Sequence, residues 1–213
     1  MALRAVFFDV GETLVDEERY WRHVAEAVGV GPHVLWAALG VTISRGEEHF
    51  GLWRHLGLER PDAWDEIVYS TDDLYPDALA CLDDVHALGL LVGLAGNQSA
   101  ALEAWARSAG LPVDIVTGSA SLGVRKPDPA FFRHLVAASG CAPEEVAYVG
   151  DRVDNDVLPA AAAGLVAVHV RRGPWGRLQP TPPEAALTVD DLASLPQALV
   201  DAGHVAASST LPT

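Results

Sequence analysis

The sequence predicts an α/β protein, a doubly wound parallel sheet with an all-helical stretch inserted after its first strand. Three observations carry this reading. From residue 76 onward, short apolar runs alternate with amphipathic stretches, and strand–helix alternation gives a parallel sheet covered on both faces. Residues 15–74 break that alternation and carry apolar residues at spacings of three and four. Several apolar runs end in Gly, Asn or Asp, as strands do when they deliver polar residues to one sheet edge.

Taken in order, residues 3–8 are an apolar run stopping at Asp9, the pattern of a buried parallel strand. In the insertion, Tyr20, Val24, Ala27 and Val28 recur at helical spacing. So do Val34, Leu35, Ala38 and Leu39, then Phe50 and Trp53, then Trp64, Ile67 and Val68. Gly29, Gly31, Pro32, Gly57 and Pro61 separate these helices. Trp21, Trp36, Trp53 and Trp64 fall here and read as the filling of a small helical core. Beyond Pro76, a helix carries Leu79, Leu82, Val85 and Leu88, and a strand follows over 90–95. The alternation continues with a helix over 99–109, a strand over 114–117, a helix over 129–139 and a strand over 146–149. An Ala-rich helix over 153–163 is closed by Gly164. A last strand spans 165–170, a Pro- and Gly-rich loop 173–183, and a final helix 192–202. Residues 1–14 and 75–203 therefore read as the core, 15–74 as a helical cap and 204–213 as a flexible tail.

Composition sets the class of partner. The chain has 213 residues, half of them hydrophobic, enough for a packed core and too many for a disordered chain. Its 14 basic and 29 acidic residues leave a net charge of −15, which repels phosphate backbones and argues against a nucleic-acid partner. Its apolar runs fall short of the ~18 residues that a membrane span needs. The first acid, at Asp9, arrives too early for a secretory signal. Cys81 and Cys141 are far apart and read as reduced, so the expected compartment is the cytoplasm. Oligomeric state has no signature here. Lys126 is the single lysine against 13 arginines, as if one position required a compact ammonium. The eight histidines follow no ligand spacing, and Arg171 with Arg172 reads as a solvated pair.

The predicted strand ends gather chemistry. The first gives Asp9, the second Gly96 and Asn97, the loop before 129 gives Lys126, and the fourth gives Asp151 with Asp156 close behind. Like charges so close repel, which calls for a cation among them, and oxygen ligands of this kind suit Mg²⁺.

Four segments resemble the motifs of the haloacid dehalogenase superfamily: Phe7 to Val15 around Asp9, Leu94 to Asn97, Lys126 to Pro129, and Val149 to Asp151 continuing to Asn155 and Asp156. The resemblance implies a Rossmann-like core, a helical cap, and phosphoryl transfer in which Asp9 attacks phosphorus and forms an aspartyl-phosphate. It implies Mg²⁺ held by Asp9, the Gly11 carbonyl and Asp151, with Asp156 in support. Lys126 would neutralise the nucleophile and the phosphoryl group. Thr13, Gly96, Asn97 and Lys126 would meet the substrate phosphate, and the substrate would be a small phosphorylated molecule.

Two positions depart from that pattern. Gly11 stands where phosphatases of the family carry an Asp that acts as general acid and base, a group worth ~10²–10⁴-fold. Gly96 stands where they offer a hydroxyl. Glu12 is the expected stand-in for the acid, with Asp16 and Glu17 as weaker candidates at the entrance to the insertion. Because a halide leaves without a proton, a 2-haloacid dehalogenase is the alternative, and a catalytically impaired binding module with the same fold is a third. The acids at 151 and 156 place the metal-dependent phosphatase first.

Overall fold

The computed structural model describes residues 2–61 and 69–205. The helical spacing expected at Trp64, Ile67 and Val68, and the tail beyond 205, lie outside the described residues.

Six parallel strands make one sheet: β1 Ala5–Phe8, β2 Leu91–Gly96, β3 Ile115–Gly118, β4 Val146–Gly150, β5 Val166–Val170 and β6 Leu187–Val189. Their spatial order is β3-β2-β1-β4-β5-β6. Succession runs one way from β1 to β3 and the other way from β4 to β6, so the order reverses between β1 and β4. A crevice opens at the carboxyl ends of strands at such a point. All four residues of β1 are buried, because helices cover both faces. Alternation along the strand sends them to two cores. Val6 and Phe8 join Val92, Leu94, Leu82, Val85 and Leu199. Ala5 and Phe7 join Phe131, Phe132, Leu135 and Ala160. The first core thus takes in helices α4 Ala78–Ala87 and α10 Leu195–Asp201, and the second takes in α7 Pro129–Ser139 and α8 Leu158–Ala162. Between them in sequence run α5 Ala100–Ser108, α6 Ser119–Leu122 and α9 Gly173–Leu178.

The stretch after β1 holds α1 Glu18–Ala27, α2 Pro32–Ser44 and α3 Gly51–Leu56. Tyr20, Trp21, Val24, Leu35, Leu39, Leu52 and Trp53 are its buried filling. No single helix among the described residues is long and apolar enough to cross a membrane. Cys81 and Cys141 are unpaired.

The structure corrects five readings. β6 is a sixth strand where none was expected; its three residues are too few to show a period. Residues 173–178 are helical, with Pro174 in the first turn, where a missing N–H costs nothing. The Ala-rich helix opens as a π-helical turn, Val153–Val157, and the last helix begins at Leu195 rather than 192. Arg172 is 8 % exposed and is not solvated: it donates to Thr13 O at 3.1 Å and to Asp77 Oδ1 at 3.0 Å.

Candidate active site

Asp9 follows β1 at the reversal point, with its N–H donating to Val149 O at 2.8 Å. Its carboxylate faces Lys126, whose Nζ lies 2.8 Å from Asp9 Oδ1 and 2.6 Å from Asp156 Oδ1. Lys126 is 2 % exposed. Burial alone would pull its ammonium toward neutrality, but the Asp156 and Asp9 carboxylates outweigh that and raise its pKa. Asn97 fixes the chain at this point: the Lys126 N–H donates to Asn97 Oδ1 at 2.8 Å, and Asn97 Nδ2 donates to Lys126 O at 3.0 Å. The Tyr148 ring lies 5.3 Å from the ammonium.

β4 and the π-helical turn supply the other acids. One carboxylate oxygen from each of Asp9, Asp151 and Asp156 lies within 4.8 Å of the others. Asp156 Oδ2 accepts the Arg152 N–H at 2.9 Å, whereas Asp151 Oδ2 is buried with no partner among the described residues. Burial, then Asp156 and Asp9, raise the Asp151 carboxyl well above its ordinary range. Burial also pushes Asp156 up to about 6, against the pull of Lys126. One ammonium among three close carboxylates leaves negative charge uncompensated, and hard oxygen donors around an orphaned oxygen fit a divalent cation such as Mg²⁺. His169, fully buried in β5, has one ring nitrogen 3.1 Å from Asp151 O and the other 2.8 Å from Thr181 Oγ1. Sequence reading passed it over; its one signal was a polar ring inside an apolar run.

The structure separates the remaining expected residues. Glu12 lines the same cavity, but its Oε2 accepts the Tyr75 hydroxyl at 2.7 Å. Its backbone takes φ +53°, a left-handed conformation, and its N–H goes to Val15 O at 2.8 Å. That N–H is therefore already bonded within the loop. Burial and then Glu17 push the Glu12 carboxyl up to about 8, against the Tyr75 hydrogen bond. Thr13 is fully buried, is not among the cavity-lining residues, and its hydroxyl has no partner among the described residues. Gly96 clears space for the nucleophile, since a Cβ there would lie 2.6 Å from Asp9 Oδ1. Gly11 clears space for Glu17, whose carboxyl a Cβ at 11 would overlap. Glu17, a weaker candidate for the acid on sequence grounds, is the carboxyl that lies in this space.

Above the acids lies a cavity of about 180 Å³. Its floor carries Asp9, Asn97, Lys126 and Asp151; its walls include Trp21, Phe50 and Tyr69 from the insertion and Trp175 from α9. His49 stacks between Trp21 and Trp175, at centroid distances of 5.3 Å and 6.1 Å, and so joins the insertion to the sheet domain. Arg152 lies 3.8 Å over the Trp175 ring.

A doubly wound sheet that gathers acids around one buried lysine at its reversal point, roofed by inserted helices, defines the class of molecule. The chain belongs to the haloacid dehalogenase-like hydrolases, the family whose pattern matches residues 3–164. It is 42 % identical to the phosphoserine phosphatase of Thermus thermophilus over 56 % of this chain and 48 % of that one. It is 34 % identical to the glyceraldehyde 3-phosphate phosphatase of Methanopyrus kandleri over 50 % of this chain and 47 % of that one. The chain thus spans about half the length of these two relatives. With the phosphoglycolate phosphatase of Rhodospirillum rubrum the match is 37 % over 85 % of this chain and 75 % of the relative. Among solved structures, the L-2-haloacid dehalogenase of Xanthobacter autotrophicus aligns with TM-score 0.65 at 22 % identity, covering 93 % of this chain and 98 % of that one. A phosphatase from Thermococcus onnurineus aligns with TM-score 0.62 at 19 % identity, covering 92 % and 98 %. At these identities the structural likeness concerns the fold alone.

Proposed function

We propose that this protein is a Mg²⁺-dependent phosphatase of small phosphorylated molecules, acting through an aspartyl-phosphate on Asp9. The observation that carries the reading is the placement of Asp9: a carboxylate at the floor of a cavity, paired to a buried ammonium and beside an orphaned Asp151 oxygen. The matched relatives named as phosphatases of phosphoserine, phosphoglycolate and glyceraldehyde 3-phosphate support the reaction class. Asp9, Asp151 and Asp156 would hold the metal ion, which when bound supplies positive charge to offset the phosphoryl oxygens.

The protein's own groups do the rest. With Oδ1 held by Lys126, Asp9 is kept from rotating, and its other oxygen presents to phosphorus. Lys126 offsets negative charge that builds as the phosphoryl group transfers. Asn97 sets the position of Lys126 through its backbone. We read residues 15–74 as a cap whose aromatic side chains select the substrate and keep bulk water out. Two unpaired cysteines suit a reducing, cytoplasmic setting.

The test is a panel of phosphate monoesters, acyl phosphates and 2-haloacids, assayed with Mg²⁺ and with a chelator. Phosphate release that needs Mg²⁺ is the expected result. Halide release that is indifferent to chelator would overturn the reading in favour of a dehalogenase.

A further inference from the structure

The reaction needs a proton donor for the leaving oxygen, and the position two residues beyond Asp9 is a glycine. The space that a side chain at 11 would occupy is nevertheless filled. A Cβ built on Gly11 would overlap Glu17 Oε1, and would lie 2.9 Å from Glu17 Cδ and 3.4 Å from the Tyr69 hydroxyl oxygen. Glu17 is the N-cap residue of α1, so this carboxyl reaches the site from the entrance of the insertion. It is held from two sides: the Tyr69 hydroxyl donates to Oε1, and Trp21 Nε1 donates to Oε2 at 3.1 Å. It lines the same cavity as Asp9 and Asp151. Glu12, the nearer carboxylate in sequence, is turned to Tyr75, whose hydroxyl donates to its Oε2.

We propose that Glu17 is the general acid and base of this enzyme, standing where the side chain missing at Gly11 would reach. The proposal rests on the phosphatase reading above and deepens it. In the first half-reaction, an Asp9 oxygen bonds to phosphorus, the bond from phosphorus to the leaving oxygen breaks, and the Glu17 proton passes to that oxygen. In the second, water bonds to phosphorus, its proton passes to Glu17, and the bond from phosphorus to Asp9 breaks, releasing phosphate and restoring both carboxyl groups. Burial raises the Glu17 pKa; the Tyr69 and Trp21 hydrogen bonds oppose this, and Asp9 adds to the rise.

The experiment compares p-nitrophenyl phosphate, whose leaving group needs little protonation, with glycerol 2-phosphate, which expels an alkoxide, both with Mg²⁺. Glu17→Gln keeps the shape and one acceptor: its amide oxygen can take the Trp21 N–H while its amide nitrogen donates to the Tyr69 oxygen. With the aryl ester, this variant is expected to release about one equivalent of nitrophenolate in a burst and then stall, because the water step has lost its base. With the alkyl ester it is expected to show no burst and a fall in kcat of ~10²–10⁴. The double variant Gly11→Asp/Glu17→Ser, which places an acid on the loop and vacates its space, is expected to recover at least ~10-fold on the alkyl ester relative to Glu17→Gln. Equal slowing of both esters without a burst would overturn the proposal and leave the phosphatase reading standing. So would wild-type rates in Glu17→Gln, or a folded double variant that cleaves the aryl ester alone. A wild-type protein inert toward both esters and toward the wider panel would overturn the phosphatase reading and this proposal with it.

Discussion

Lys126 Nζ lies 2.6 Å from Asp156 Oδ1 with neither side chain more than 1 % exposed. In a site so dry, the pair is held at short range and strongly coupled, and removing one partner strands a buried charge. Lys126→Met is therefore expected to cost about 3–5 kcal/mol of unfolding free energy, read by urea titration. Lys126→Arg keeps the charge but needs room for a planar fork in a slot with none, so it too is expected to lose most turnover along with stability.

Asp9→Asn is expected to abolish turnover while circular dichroism and the unfolding midpoint stay close to wild type. The amide keeps the volume beside Gly96 and loses the nucleophile, while the Lys126 ammonium keeps its ion pair with Asp156.

Removing the cation has a readout independent of activity. Mg²⁺ at about 100 times its Kd is expected to stabilise the wild type by about 2.7 kcal/mol against heat or urea. Asp151→Asn, which replaces the orphaned oxygen, is expected to lose most of that gain. A midpoint indifferent to Mg²⁺ in the wild type would contradict the cation site.

Gly11→Asp by itself is expected to lower the unfolding midpoint and to bring no gain on alkyl phosphates, because the new side chain meets Glu17. Gly96→Ser is expected to slow turnover with little loss of fold, since its Cβ would press on Asp9 Oδ1 at 2.6 Å.

The pH dependence of stability has a local probe in His49. Burial, then Arg152, push its pKa down to about 3 from 6.5. Between those values the unfolded chain takes up a proton that the folded protein refuses, so stability falls as pH drops below 6.5. His49→Phe keeps the ring between Trp21 and Trp175 and removes the titration. From pH 7 to pH 5, the unfolding free energy of the variant is expected to improve relative to wild type by about 2 kcal/mol.

Much of the fold was legible because each core strand is an apolar run with a punctuating residue at its end. Asp9, Asn97 and Asp151 each follow or close such a run, and their common edge follows from parallel pairing alone. β6 was not legible, since three residues beside β5 owe their extension to pairing rather than to pattern. Arg172 looked solvated beside Arg171 because its partners, Thr13 and Asp77, are remote in sequence. Glu17 ranked below Glu12 in the sequence for a related reason. Its place at the site depends on how α1 leaves β1 and on a tyrosine from the far end of the insertion, neither of which a local motif records.

Lys126 is the lone lysine of the 213-residue chain, and folding seals it away at 2 % exposure. The native surface consequently offers no lysine amine to an acylating or reductive-alkylating reagent. Labelling at Lys126 by an amine-directed dye, read by peptide mapping apart from the α-amino group, becomes a meter of unfolding: one side chain, silent in the folded state and reactive in the denatured one. The same property means that lysine side-chain coupling to a resin or a crosslinker will select denatured molecules, so immobilisation calls for carboxyl chemistry instead.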